Sequence, residues 1–259
     1  MGMTIVKPAH YGIFVGVNVY ESARLAPLSF CVNDAIEMRD LLTNSRTGII
    51  ERHNTRDFHD EAATKADVLA CINEYVEKLQ DSDSLTITWS SHGARPESDP
   101  DELFLATYDT GVADDKSFSN SIKFVEELMP LFQTVNNFIK VILDGCHIGD
   151  ALARPIIAQN ENVGIMAAAK REEDAYEAEL LKHGVFTYHL LQALRSPFVL
   201  QGGRIPISME DAHAHVYRPV VDYVRSVFGR DQHPTVAGHN IHRMPLIFQC
   251  ADHHMPRAR

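Results

Sequence analysis

A histidine and a cysteine stand in matching positions behind two apolar runs of the sequence. His92 and Gly93 come soon after the run at residues 85–89, and Cys146 comes soon after the run at residues 138–143. Runs of this length and composition predict buried strands. If the two strands are parallel neighbours, their carboxyl ends meet at one edge of a sheet, where an imidazole can take the proton of a thiol. The spacing therefore predicts Cys146 as a nucleophile and His92 as its general base.

Two alternatives to this assignment are open on the sequence. His147 is a second candidate base, but neighbouring side chains of an extended segment point to opposite faces, so His92 is the better choice. The other alternative is purely structural, because free cysteines are often inert core residues and a histidine at a strand end is often only hydrogen-bonded. The flanking Gly93 and Gly145 favour a site, since glycines let a substrate backbone approach closely.

Strands and helices alternate along the chain in a pattern that would bring the two residues together. Such alternation predicts crossover connections and a mostly parallel sheet in an α/β fold. The predicted strands cover residues 11–17, 84–89, 103–106, 138–143 and 163–168, with a final strand after Thr235. The predicted helical segments cover residues 33–42, 67–79, 122–132 and 184–194, with a last helix that begins at Ser208.

The chain reads as one domain with a short polar tail. No repeat, low-complexity tract or Pro/Gly linker divides it, so residues 1–251 are predicted to form a single domain and residues 252–259 a loose tail. Polar segments at residues 95–101 and 170–179 follow predicted strands at the same edge of the sheet. That edge is where open α/β folds bind ligands, so both segments are expected to be loops near the site.

Composition excludes several classes of protein. With 259 residues and 45% hydrophobic content the chain can bury a large core, and its formal net charge of -11 disfavours direct nucleic-acid binding. No apolar run is long enough to span a membrane, so no membrane partner is expected. Four scattered cysteines lack metal or disulfide spacing, which predicts a reducing, cytoplasmic location.

Read together, the motifs resemble the caspase-like cysteine peptidases, and the metacaspase branch with its bacterial homologues in particular. Each matching segment is short, but they span nearly the whole chain in the order of that family. The segments are FVGVNVY at 14–20, CVNDA at 31–35, SSHG at 90–93, LDGCH at 143–147, HGVFT at 183–187 and QHPT at 232–235.

The resemblance implies a fold and a mechanism. The fold would be a three-layer α/β/α sandwich around a mostly parallel six-stranded sheet. The reaction would be amide hydrolysis through an acyl-enzyme, with an oxyanion hole formed by the backbone N–H groups of Gly93 and Cys146. Two departures, Gly145 where a Cys or Ser is usual and Ile148 in place of a small Ser, predict a different loop geometry after the nucleophile.

The same resemblance implies a substrate pocket for a basic side chain. Metacaspases build this pocket from positions that match Cys31, Asp34, Ser90 and Asp144, all present here. Caspases that cleave after aspartate carry an Arg before the first helix and a Gln two residues before the nucleophile. Here those positions hold Leu28 and Asp144, so a protein substrate with Arg or Lys before the cleaved bond is expected. Each aspartate also has a purely structural explanation. Asp34 could stabilise the N-terminus of a helix through the helix dipole, and Asp144 could accept a hydrogen bond at the end of a strand.

Calcium is the one metal that the resemblance raises, because many metacaspases are activated by it. Asp109 matches one of the family's calcium carboxylates, Glu126 and Glu127 lie near two others, and the fourth is missing or shifted toward Asp150. Oxygen-rich clusters can bind calcium, but a solvated acidic helix face is the commoner explanation of such residues. The expectation is an enzyme that requires no cofactor, with calcium as a weak candidate activator.

The function expected from the sequence is therefore a cysteine endopeptidase specific for Arg or Lys. The main alternative is a catalytically silent caspase-like fold kept as a binding or regulatory module. A nucleotide-binding doubly wound domain is disfavoured, because the turn after the first strand lacks a glycine-rich phosphate loop. As a single domain, the enzyme is expected to be controlled by a regulatory partner protein, a metal or self-cleavage.

Overall fold

The protein is an α/β fold built around one central sheet. A computed structural model describes residues 7–95, 101–114, 117–146, 160–195 and 205–249. Its helices are α1 (Cys31–Leu42), α2 (Lys65–Lys78), α3 (Met129–Phe132), α4 (Val185–Arg195) and α5 (Met209–Phe228). Its strands are β1 (His10–Gly16), β2 (Thr55–His59), β3 (Ser84–Ser90), β4 (Gly93–Ala94), β5 (Phe104–Leu105), β6 (Gly111–Val112), β7 (Phe118–Ser119), β8 (Ile122–Lys123), β9 (Phe138–Asp144), β10 (Val163–Ala167), β11 (Glu177–Ala178), β12 (His183–Gly184), β13 (Ile205–Ser208), β14 (Thr235–Ala237) and β15 (Pro245–Gln249).

The central sheet has six strands in the order β14-β10-β9-β3-β1-β2. Every neighbouring pair is parallel except β10 and β14, which run antiparallel. The prediction of a mostly parallel six-stranded sheet is thus confirmed. The prediction that residues 103–106 form a strand of this sheet is wrong. These residues contribute only β5, which pairs with β4 and β8 in a separate small sheet. The sixth place belongs to the edge strand β2.

Helices cover both faces of the sheet, as the predicted three-layer sandwich requires. On one face α2 and α3 pack through Val68, Ile72 and Phe132. On the other face α1, α4 and α5 form a second apolar cluster that includes Met38 and Val216. The sheet is buried between these two layers, and this rigid core fixes where the strand ends lie.

Local sequence signals explain where two of the helices begin. Thr64 caps α2 by accepting a hydrogen bond from the backbone of Asp67, and Ser208 with Asp211 forms the predicted capping box of α5. Helix α5 ends at Gly229, whose φ of 63° lies in the left-handed region that favours glycine.

The segment predicted as one amphipathic helix at residues 122–132 is divided in the structure. It begins as strand β8, continues as a π-helical turn over Phe124–Leu128 and ends as α3. The buried carboxylate of Glu102 holds the start of the turn, because it accepts hydrogen bonds from the backbone of Val125 and Glu126 at 2.7 and 2.9 Å. A residue distant in sequence therefore decides this local structure.

The described residues include no helix with the length and apolar character needed to cross a membrane. The tail at residues 252–259 lies outside the described residues, so the division into residues 1–251 and a tail stays a prediction.

Candidate active site

The register between β3 and β9 brings the two predicted catalytic residues to one edge of the sheet. The strands are parallel neighbours in which Ser90 pairs with Asp144. Beyond this pair the backbone N–H of Ser91 still bonds the Asp144 carbonyl oxygen at 3.2 Å. His92 follows Ser90 by two residues and Cys146 follows Asp144 by two, so the imidazole and the thiol come from equivalent positions on adjacent strand ends.

The ring of His92 is held by a backbone carbonyl rather than by a carboxylate. Its Nε2 lies 2.8 Å from the carbonyl oxygen of Ala26. A carbonyl can only accept, so Nε2 carries the hydrogen and the neutral ring has its lone pair on Nδ1. Tyr20 supports the other side, since its hydroxyl accepts from the His92 backbone at 3.0 Å and its ring centre lies 5.2 Å from the imidazole. These contacts fix the tautomer that a general base needs.

Cys146 is half-buried and rests on the loop before β11. Its Sγ accepts a hydrogen bond from the Ala175 backbone N–H at 3.4 Å and lies 3.7 Å from the Ala175 carbonyl oxygen. Burial raises the pKa of the Cys146 thiol, with further raising by Asp174 and Asp144, while the Ala175 N–H lowers it. No hydrogen bond joins Cys146 to His92 within the described residues. Catalytic contacts often tighten only when substrate binds.

Gly93 can offer its backbone N–H to a substrate. Gly93 pairs with Leu105 where β4 and β5 run antiparallel. The adjacent pair, His92 and Ala106, is hydrogen-bonded, because the Ala106 N–H donates to the His92 carbonyl oxygen at 2.9 Å. In an antiparallel ladder this pattern places Gly93 at a non-hydrogen-bonded pair, so its N–H takes no part in the ladder. The N–H lies one residue from His92, the predicted general base, where an oxyanion donor would be useful.

The four predicted pocket residues lie together beside this edge. Asp34, on the first turn of α1, accepts a hydrogen bond from the Ser90 hydroxyl at 3.0 Å. Asp144 ends β9 and is paired in register with Ser90. Cys31 begins α1, one turn before Asp34, and all four side chains are buried. The sequence thus identified residues that form one buried acidic cluster.

Strand β12 and the start of α4 complete the cluster. Asp144 accepts hydrogen bonds from the hydroxyl and backbone N–H of Thr187, at 2.6 and 3.1 Å. The Gly184 backbone N–H donates to Asp34 at 3.2 Å. A Cβ at Gly184 would collide with Oδ2 of Asp144 and lie 3.2 Å from Oδ2 of Asp34, so only glycine fits between the two carboxylates.

Glu177 adds a third carboxylate that sequence reasoning missed. Its oxygens accept hydrogen bonds from the backbone of Ser29 and Phe30 at 2.9 and 2.7 Å, and the thiol of Cys31 lies 3.7 Å from Oε1. Its charge also acts on Asp144, whose pKa it helps to raise. Glu177 comes from a hairpin far along the chain, and no local pattern marks it.

Behind Asp34 lies a second set of charged contacts that the sequence also did not reveal. His183 donates through Nδ1 to Asp34 at 2.7 Å, and its Nε2 lies 3.4 Å from Glu37, one turn further along α1. Glu37 in turn pairs with Arg195 at 2.6 Å. Burial lowers the pKa of His183, but Asp34 and Glu37 outweigh it and the net pKa is raised.

Burial dominates the electrostatics of the two aspartates. It raises the pKa of Asp34 to about 7, against the lowering effect of the His183 hydrogen bond and with further raising by Asp144. It raises the pKa of Asp144 to about 6, against the hydrogen bonds from Thr187. Both carboxyls therefore titrate close to neutral pH, and a cation beside them would favour their ionised forms.

The residues predicted as candidate calcium ligands are paired with lysine side chains or with backbone groups. Asp109 accepts from the Lys65 backbone at 2.9 Å, and Glu127 pairs with the Lys65 ammonium at 2.8 Å. Glu126 pairs with Lys123 at 2.6 Å. In the part of the chain that the structure describes, no group of three or more metal-binding side chains is found. Asp150 and the alternative base His147 lie outside the described residues.

Comparison with known proteins agrees with this geometry. Residues 11–155, more than half of the chain, match the family described as the metacaspase, peptidase C14 domain. Metacaspase-1 of Eremothecium gossypii is 29% identical over 166 residues, which cover 58% of this chain. The match spans only 34% of that relative's length.

Two solved structures share the fold. Caspase-1 from Spodoptera frugiperda superposes with a TM-score of 0.65 at 13% identity, covering 90% of this chain and 87% of its own. Protein GSU0716 from Geobacter sulfurreducens gives 0.63 at 16% identity, covering 89% and 94%. Because the family match covers more than half of the chain, the chain belongs to the family described as the metacaspase, peptidase C14 domain.

Proposed function

We propose that the protein cleaves peptide bonds after Arg or Lys, with Cys146 as nucleophile and His92 as general base. One observation carries the specificity: three carboxylates, Asp34, Asp144 and Glu177, gather on the strand edge from which the thiol projects. Buried acids without a full set of cationic partners are costly, so such a cluster is expected to serve a cationic ligand.

The proposed reaction needs only groups already at this edge. His92 takes the proton of Cys146 through Nδ1, and the thiolate attacks the substrate carbonyl carbon as an S–C bond forms. The N–H groups of Gly93 and Cys146 stabilise the oxyanion. His92 then gives the proton to the departing nitrogen as the C–N bond breaks. Water, deprotonated by His92, hydrolyses the acyl-enzyme and restores the thiol.

The pocket would select the charge of the residue before the cleaved bond. A guanidinium can donate charge-assisted hydrogen bonds to Asp34 and Asp144 together, whereas an aspartate would add like charge. The cavity beside these acids has a volume of about 10 Å³, room for no more than one water. Entry of a long basic side chain therefore requires the residues around this cavity, Asp34, Asp144 and Thr187 among them, to move apart.

The experiment compares matched fluorogenic peptides that differ only in Arg, Lys, Asp or Leu before the cleaved bond. Faster cleavage after Asp or Leu than after Arg overturns the specificity. The alternative, a silent binding module, predicts no turnover of any peptide and no faster reaction of Cys146 with iodoacetamide than of an ordinary thiol. Calcium activation and a cytoplasmic location stay predictions, and running the assay with and without calcium addresses the first.

A further inference from the structure

A second cavity lies against His92 and shares no lining residue with the small cavity at Asp34 and Asp144. Its volume is about 130 Å³. The side chains that shape it are Leu25, His92, Ala94, Phe104, Ala106 and Phe118. Several of them are only half-buried, so the cavity opens to solvent beside the general base.

The lining is mostly apolar, and its polar side chains are His92, Thr110 and Ser121. The rings of Phe104 and Phe118 lie 5.6 Å apart in a tilted arrangement, and Ala106 forms a buried wall. The polar side chain of Thr110 is already satisfied, because its hydroxyl accepts from the Thr107 backbone at 2.8 Å. Among the described residues that line the cavity, His92 alone has an ionisable side chain. Such a surface favours an apolar group over a charged one, which would lose its hydration without gaining a partner.

The chemistry of the dyad says which part of a substrate reaches this cavity. The general base must pass its proton to the departing nitrogen, so that nitrogen comes within hydrogen-bond distance of His92. The side chain of the departing residue begins two bonds beyond the nitrogen, and it therefore starts next to the ring. Leu25 supports this placement, since it precedes Ala26, whose carbonyl oxygen orients His92 at 2.8 Å.

We infer that the cavity binds the side chain of the residue that follows the cleaved bond and that it prefers a large apolar residue such as Leu, Met or Phe. The inference rests on the proposed function for the direction of attack. Apolar protein cavities of roughly 150 Å³ accept a group the size of benzene, so 130 Å³ suits one such side chain. The preferred cleavage sites are then pairs of a basic residue and an apolar residue.

The test is a cleavage profile of a peptide library randomised on both sides of the cleaved bond. It is followed by kcat/KM for matched peptides with Leu, Gly, Asp or Lys after an Arg. We expect Leu to exceed Asp and Lys by about tenfold or more, the range that an apolar pocket gives between side chains. Phe118→Ala should reduce the ratio of Leu to Gly, and Phe118→Leu should restore most of it. Ala94→Leu should fill the cavity and favour Gly.

Two controls separate this site from the rest of the enzyme. Tyr11→Ala removes a half-buried ring at the amino edge of the sheet and should leave the Leu to Gly ratio unchanged. An arginine acyloxymethyl ketone without a following residue should label Cys146 equally fast in wild type and in the Phe118 and Ala94 variants. A variant that fails this labelling is misfolded and is set aside. The test of the cavity then rests on the cleavage ratios of the variants at the other position.

The outcomes distinguish this inference from the proposed function. Cleavage after Arg with no preference for the following residue overturns the inference and leaves the function intact. A Leu preference that survives both Phe118→Ala and Ala94→Leu also overturns it. A Leu preference combined with cleavage after non-basic residues supports the cavity and overturns the basic specificity. Absence of any turnover overturns both.

Discussion

Replacing Asp34 by asparagine removes one pocket charge while it preserves the shape of the side chain. Asp34 accepts from His183 through Oδ1, from the Gly184 N–H through both oxygens, and from the Ser90 hydroxyl through Oδ2. In the Asp34→Asn variant the amide oxygen could keep the first two bonds. The NH₂ group of the same amide could donate to the Ser90 hydroxyl, which also accepts. The variant should therefore fold, and a loss of activity would report charge.

The size of the effect follows from the charge that is lost. Hydrogen bonds to a charged group contribute roughly 1.5 to 3 kcal/mol, against about 1 kcal/mol for neutral partners, a difference of about 0.5 to 2 kcal/mol. At about 1.4 kcal/mol per factor of ten, kcat/KM for an Arg peptide should fall roughly twofold to thirtyfold. A Leu peptide gains nothing from the charge, so its kcat/KM should change little and the preference for Arg should shrink by the same factor.

The pH dependence gives this prediction its sharpest form. Burial raises the pKa of Asp34 to about 7, so below that pH the wild-type carboxyl already carries a proton and resembles asparagine. The difference between wild type and Asp34→Asn should be small near pH 5.5 and grow as the pH rises through about 7. Because kcat/KM reports the free enzyme, it is the quantity to compare across pH.

The matched control is Asp40→Asn, on the same helix but exposed and paired with Arg39. It removes the same charge outside the cluster and should leave both the Arg preference and the pH profile unchanged. Thermal unfolding of both variants shows whether they are folded. An undiminished Arg preference in Asp34→Asn at about pH 8 would refute the assignment of Asp34 to the pocket.

Three further predictions follow from the geometry. Cys146→Ala and His92→Ala should each abolish turnover, and the double variant should be no worse, because the dyad acts as a unit; substantial activity in Cys146→Ala contradicts this. Gly184→Ala should lower kcat/KM for Arg peptides, since its Cβ collides with Asp144, while iodoacetamide labelling of Cys146 persists; unchanged kinetics contradict the packing. Burial lowers the pKa of Lys140 to about 7, below an ordinary value of about 10.4. Between these values the unfolded chain binds more protons, so the free energy of unfolding should rise with pH, and denaturant titrations of Lys140→Met should lack that rise.

The sequence predicted the central strands well because their burial is nearly complete. Strands β3 and β9 are buried along almost their whole length, so a continuous apolar or small-residue run marks them. Edge strand β2 is half exposed, and its sequence of Thr, Arg, Asp, Phe and His carries no such run. Residues 103–106 are buried and read as a strand of the sheet, but their partners are β4 and β8.

The candidate site was predictable where residues follow strand ends and unpredictable where distant loops supply partners. Asp34, Ser90 and Asp144 stand at element boundaries whose positions the sequence defines. Glu177 and His183 reach the cluster from the β11–β12 hairpin, and only tertiary packing brings them close. The carbonyl group of Ala26 carries no side-chain signal at all, because every residue has one.

In the proposed mechanism, binding of a basic residue at the acidic cluster should also assist the chemistry at the thiol. Asp144 is one of the charges that raise the pKa of Cys146, beyond the larger effect of burial. A guanidinium paired with Asp144 offsets that charge and so lowers the pKa of the thiol. A neutral residue in the pocket leaves the thiol protonated over a wider pH range. Substrates without a basic residue should therefore show a lower kcat as well as a higher KM. The same coupling predicts that a small guanidinium compound such as agmatine shifts the pH dependence of iodoacetamide labelling of Cys146 toward lower pH. An unshifted labelling profile with the pocket saturated would mean that the two sites act independently.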